Sequence, residues 1–330
     1  MTETIQNTPR EKTDKIINSG QLGVVLQCGG RARRVGNEKK PLINLLNGDR
    51  PLSNLLKDIP LQVPVYIHLL REHKDSYTNF LSNNNLGHKI MYIEQEEEKL
   101  YDQDKNLLTD GGGLFIAASN GPATFVNHFS NPPEYMLTID GARLGIDFHE
   151  LKNALSMLIE HEEKDAVSFV FRVSSKELMA EKKRFLKNKR LKYARVNCDS
   201  QNPESRIYEG VFMPPEIPGD KKWLAFDGAH LVRTKSIGKE LLNEAKSFVP
   251  SESIDGLYTG YTYQIKFNNL LKGFNGRETG LEFLLYEINT SKVILAVKSY
   301  AEIKRYPSFI KRGVFDYRKD NSNWGQTKWN

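Results

Sequence analysis

Cysteine is nearly absent from this chain: Cys28 and Cys198 are the two among 330 residues, far apart and without a Cys-x-x-Cys spacing. That scarcity excludes a disulfide framework and a structural zinc site, so both thiols are expected to be reduced and buried. Long apolar runs are missing too. Residues 63–70 (VPVYIHLL) are among the longest, broken by a histidine and far short of the roughly 20 residues a membrane span needs. Residues 1–19 are polar, carry both charge signs and lack the apolar stretch of a secretory signal; the expected location is cytoplasmic, with no membrane partner. The seven histidines show no His-x-His or HExxH pattern, and His149 and His161 read as surface or boundary positions of one helix rather than as metal ligands.

What remains is an ordinary globular composition, 39% hydrophobic and 27% charged, with a formal net charge of +6. A mildly basic balance suits a polyphosphate substrate without requiring one. Its densest part, residues 176–192, interleaves Lys and Arg with Leu178, Met179, Phe185, Leu186 and Leu191. This reads as a solvated amphipathic face, the alternative being a surface for nucleic acid or an acidic partner.

Residues 21–28 (QLGVVLQC) form a short aliphatic run ending at Gly29-Gly30, the pattern of a buried strand entering a loop. Further strands are expected at 63–70, 88–95, 135–140, 166–173 and 292–299. A helix is expected over 148–162, its stripe made of Phe148, Leu151, Leu155, Leu158 and Ile159 and its start marked by an Asp147/Glu150 capping box. Strands alternating with crossover-length segments predict an α/β fold on a mostly parallel sheet. Past Tyr193, Pro203, Pro214, Pro215 and Pro218 interrupt the chain and predict a β-rich lobe.

The stretch 26–42 (LQCGGRARRVGNEKKPL) carries the chemistry. Gly29 and Gly30 directly after a strand let backbone N–H groups approach phosphate oxygens, and Arg31, Arg33, Arg34, Lys39 and Lys40 set cations beside them. A nucleoside triphosphate attacked at its α-phosphorus builds charge on the departing pyrophosphate, which fixed cations stabilise. The pattern is neither a Walker A loop nor a GxGxxG fingerprint.

The glycine pair, Arg34, and Lys40-Pro41-Leu42 resemble the signature of the sugar-1-phosphate nucleotidyltransferases. The resemblance implies a Rossmann-like, glycosyltransferase-A-type fold with a central mixed, mostly parallel sheet and a β-rich sugar-side lobe. It also implies an Mg²⁺-dependent transfer, with Arg34 neutralising the β- and γ-phosphates and Lys40 touching phosphate in the transition state. Gln95 and the run Gly111-Gly112-Gly113-Leu114-Phe115 look like the uracil-recognising segment of eukaryotic-type UDP-sugar pyrophosphorylases. Asp140 ends a hydrophobic strand where relatives hold Mg²⁺, although Gly141 stands where the uridylyl branch usually has Asn. Asp227 is similar to a second strand-end residue touching sugar or metal, and Lys298 to a substrate-phosphate lysine. The implied domains are a disordered tail (1–20), a catalytic domain (21–250) and a C-terminal segment completing the sugar and phosphate side (251–330). The expected reaction joins UTP and a sugar 1-phosphate into a UDP-sugar with release of pyrophosphate. Two alternatives stay open: a cytidylyl or other nucleotidyl transfer to a different phosphorylated acceptor, and a non-catalytic protein binding nucleic acid or an acidic partner through 176–192.

Overall fold

Runs of Val, Ile and Leu set the sheet. In the computed structural model, which describes residues 8–29, 39–45, 49–84, 86–94, 131–143, 145–173, 195–197, 207–210, 223–236 and 283–288, these runs become β1 (Leu22–Gln27), β2 (Val65–Leu69), β3 (Ile90–Glu94), β4 (Tyr135–Asp140) and β5 (Ala166–Val173). Shorter strands β6 (Arg195–Asn197), β7 (Ile207–Gly210) and β9 (Phe283–Glu287) and the long β8 (Trp223–Arg233) complete a nine-stranded sheet. Its order is β3-β2-β1-β4-β8-β5-β9, with β6 pairing β7 and β8. Strands β3, β2, β1 and β4 are mutually parallel; β8 runs antiparallel to both β4 and β5, and β9 is parallel to β5. The expected strand at 292–299 lies outside the described residues.

One sheet face is aliphatic. Leu22, Val24 and Leu26 of β1, Val65, Ile67 and Leu69 of β2, and Leu137 and Ile139 of β4 share a core with four helices: α1 (Pro9–Asn18), α2 (Pro51–Asp58), α3 (Lys74–Asn84) and α4 (Phe148–Glu160). Leu151, Ala154, Leu155, Leu158 and Ile159 of α4 are buried at helical spacing. Each Leu, Ile or Val side chain so buried contributes about 1.5–3 kcal/mol.

Asp147 caps the helix at Phe148 as expected, but without the reciprocal half of the expected box. At α4, Asp147 accepts from the backbone N–H groups of His149 (2.9 Å) and Glu150 (3.3 Å), while the Glu150 carboxylate instead accepts from the Tyr286 hydroxyl. The capping box forms at α1, where Glu11 accepts from Thr8 N at 2.8 Å and Thr8 Oγ1 from Glu11 N. Residues 9–18 are therefore a helix rather than the expected disordered tail. Their hold is slight but specific: Thr13 and Ile17 are buried, and Asp14 pairs with Lys152 of α4.

Arg233, at the end of β8, staples these layers. It is 5% exposed and donates to Tyr135 Oη (2.8 Å), to Lys164 O (2.9 Å) and to the carbonyl of Leu158 in the last turn of α4. A cation at a helix C-terminus satisfies carbonyls that lack intrahelical partners.

Candidate active site at the end of β1 and β4

Strand order reverses around β1: β2 and β3 follow on one side, whereas β4 returns on the other. In open α/β sheets, ligands bind outside the strand C-termini at such a switch point. Here that crevice lies between the ends of β1 and β4, where Gln27 stands in register with Asp140. Beyond Gln27 come Cys28 and Gly29, both buried, with Cys28 N bonded to His68 O at 2.7 Å.

Asp140 is held by its own turn. Its Oδ1 accepts from Ala142 N at 2.9 Å, its backbone O from Arg143 N at 3.1 Å, and Gly141 N donates across to Gln27 O at 3.0 Å. The last contact ties the end of β4 to the end of β1. Gly141 is required by close approach: a Cβ there would sit 2.3 Å from Cys28 Sγ and 3.1 Å from Gln27 O. The departure from the uridylyl pattern at this position thus has a local packing cause. Burial pushes the Cys28 thiol well above its ordinary pKa, and the Asp140 carboxylate adds to that shift, so the thiol stays protonated and is no nucleophile. The buried Tyr77 hydroxyl lies beside the thiol and makes no hydrogen bond.

The sheet face opposite the aliphatic one is polar toward this crevice. Register places His68 of β2, Gln27 of β1 and Asp140 of β4 in one row, and pairs Thr138 of β4 with His230 of β8 in the row behind. Gln27, His68, Thr138 and His230 are all buried. Burial alone lowers both histidines to about 4, so both imidazoles are neutral at pH 7. His149 and His161 are exposed, as expected.

Asp227 lies on the backbone of β8, three residues before the Thr138↔His230 pair. On the same edge, β8 pairs with β4 over 230–233 and with β6 over 223–225. Asp227-Gly228 therefore falls between those pairings, at the same end of the sheet as Asp140. Lys40 opens a short 3₁₀ turn, Lys40–Leu42, over buried Pro41. Gly30, Arg34, Gln95, Gly112, Gly113 and Lys298 lie outside the described residues, as do Cys198 and the basic segment 176–192.

Among the described residues, no group of three or more His, Cys, Asp or Glu side chains could hold a metal by itself. Mg²⁺ does not need one, because it is commonly bound by one or two carboxylates together with substrate phosphates. The Asp140 carboxylate, a hard oxygen donor at the crevice, fits that arrangement. Sequence reasoning passed over His68, and the only signal was a histidine inside an otherwise apolar strand. No helix among the described residues is long and apolar enough to cross a membrane.

No protein-family model matches the sequence, and no curated protein matches it. Solved structures do. A CMP:2-keto-3-deoxy-manno-octonic acid synthetase complexed with CTP superposes with a TM-score of 0.56 at 11% identity, covering 89% of this chain and 99% of that one. The 4-diphosphocytidyl-2C-methyl-D-erythritol synthase of Anaerococcus prevotii gives 0.50 at 11% identity, covering 90% and 99%. The inositol-1-phosphate CTP transferase of T. maritima gives 0.50 at 15% identity, covering 90% and 98%. The fold is theirs. It is the Rossmann-like nucleotidyltransferase fold expected from the sequence, with helices packed on a mixed sheet that is parallel through the strands forming the crevice.

Proposed function

We propose that the chain is a nucleotidyltransferase that moves a cytidylyl group from CTP to a phosphorylated polyol or sugar, releasing pyrophosphate. The observation that carries the reading is Asp140 fixed at the β1–β4 switch point of a nucleotidyltransferase fold. The choice of CTP over UTP draws support from the similar structures, whose names all specify CTP or a cytidylyl product. The uridylyl expectation leaned on Gln95, Gly112, Gly113 and Lys298, which the structure does not describe.

In this reading an acceptor phosphate oxygen forms a bond to the α-phosphorus while the bond from that phosphorus to the α–β bridging oxygen breaks. Pyrophosphate departs with the electron pair. No protein nucleophile is needed, which agrees with a buried, protonated Cys28. The chain's part is positioning and charge neutralisation. Gly29 and Gly30 offer backbone N–H groups to phosphate, Arg34 and Lys40 balance the charge growing on the leaving group, and Asp140, with Asp227, holds the metal. Bound Mg²⁺ would supply electrostatic stabilisation of the phosphate oxygens. The nucleoside lies on the β2–β3 flank, where Gln95 directly follows β3, and the acceptor lies toward β8 and Asp227.

Pyrophosphate release with Mg²⁺, measured for CTP and UTP across erythritol, inositol and hexose phosphates, tests this. CTP should exceed UTP in kcat/KM by at least about tenfold, the worth of one well-made hydrogen bond. The reverse preference would return the uridylyl reading. Arg34→Ala should lower kcat by roughly 10²–10³ with the fold intact, and near-normal turnover would remove Arg34 from the mechanism.

A further inference from the structure

His68 has no partner. Its side chain is fully buried, and neither Nδ1 nor Nε2 makes a hydrogen bond. Buried polar atoms are paired in the great majority of cases, and a neutral imidazole has one donor and one acceptor to satisfy. Leaving both unmade is costly, and an aliphatic residue would fill a strand position next to Ile67 and Leu69 without that cost.

Placement gives the cost a purpose. His68 is the residue of β2 in register with Gln27, which is in turn in register with Asp140, so its ring shares the sheet face that leads to the crevice. It stands two strands from Asp140, on the flank away from β8, and beside Ile93 near the end of β3. The groups that would meet phosphate are cations and backbone N–H groups. A neutral ring with one donor and one acceptor matches instead the uncharged half of a nucleotide, whose ribose hydroxyls and base edge offer both roles.

We infer that His68 is a nucleoside-binding residue, one of its unpartnered ring nitrogens donating a hydrogen bond to, and the other accepting one from, the ribose or base of the substrate nucleotide. The inference rests on the nucleotidyltransferase reading and deepens it. In the free chain the ring is enclosed, so contact with a nucleoside requires a local rearrangement around it. The binding event then satisfies both nitrogens at once.

His68→Leu separates this role from a structural one. The variant should melt no lower than wild type when free, because the unsatisfied atoms are gone. Its Kd for CTP, read by calorimetry on the full chain, should weaken about tenfold or more, as expected for a lost hydrogen bond. KM for CTP should rise while kcat and the acceptor KM stay within about threefold, the pattern of lost uniform binding. Unchanged CTP affinity in a folded His68→Leu variant overturns the inference and leaves the enzyme reading standing. If that variant does not fold, the imidazole ¹⁵N resonances of His68 in wild type decide: shifts of both nitrogens on adding CTP support the contact, and no change overturns it. A wild type that neither binds a nucleoside triphosphate nor releases pyrophosphate overturns both readings together.

Discussion

Acid should unfold this protein through its buried histidines. His68 and His230 are neutral in the folded state with pKa values of about 4, against 6.5 for an unconstrained histidine. The folded-state values are depressed, so below pH 6.5 the unfolded chain binds more protons than the native one. Stability is then complete above about pH 6.5 and falls as pH drops toward 4, each histidine contributing a slope of up to about 1.4 kcal/mol per pH unit. Between pH 8 and pH 5 the loss comes to about 2 kcal/mol per histidine, or about 4 kcal/mol for both. That is a large share of the 5–15 kcal/mol of a typical domain. Urea unfolding at pH 8, 7, 6 and 5, with the free energy extrapolated linearly to water, measures it directly. Comparing wild type with His68→Leu removes the background from carboxylates, which both proteins share. The variant should lose about half of the histidine-dependent fall, so that, starting no less stable at pH 8, it exceeds wild type by at least about 2 kcal/mol at pH 5. Parallel curves across the range would refute the reasoning, because they would mean that His68 is either accessible to protons in the folded state or paired in a way that tolerates charge.

Other outcomes follow from the same geometry. Asp140→Asn keeps the side chain's size and its acceptor for Ala142 N but removes the charge, so it should fold like wild type and lose at least about a hundredfold in metal-dependent turnover. Activity near wild type at saturating Mg²⁺ would exclude Asp140 as a ligand. Gly141→Ala drives a methyl group into Cys28 and should cost about 1–3 kcal/mol in urea unfolding, with most of that recovered in a Cys28→Ala/Gly141→Ala double variant. A double variant no more stable than the single one would place the clash elsewhere. Arg233→Met strips the donors from Tyr135 and the α4 carbonyls and should destabilise by about 3 kcal/mol, visible as a lowered melting temperature without any change in CTP affinity.

The parallel core was readable because its strands advertise themselves locally. Residues 135–140 are mostly apolar up to a terminal acid and 21–28 are mostly aliphatic up to a glycine pair, so element type and the strand-end position of Asp140 needed no long-range information. Helix α1 was misread because its sequence, PREKTDKIIN, is mostly charged and only Thr13 and Ile17 are buried. Its start signal was nevertheless present in Thr8-x-x-Glu11 with Pro9 between them. The place of β8 was not legible at all. Nothing within residues 223–233 says that the strand will run antiparallel between β4 and β5, since that depends on partners far away in the chain. His68 stayed hidden for the same reason: inside an apolar run it reads as filler, and only register with Gln27 and Asp140 gives its face a meaning.

The two strands that frame the crevice, β1 and β4, meet across a long stretch of chain, with Gln21 and Glu134 at their starts 113 positions apart. During synthesis β1, β2 and β3 can begin to assemble well before the acidic residue emerges. The carboxylate then arrives only when a large loop closes, a non-local event of the kind that slows folding. One wall of the crevice is therefore made early and the other late, and a nascent chain or truncated product ending short of β4 would present the end of β1 with no Asp140 opposite Gln27.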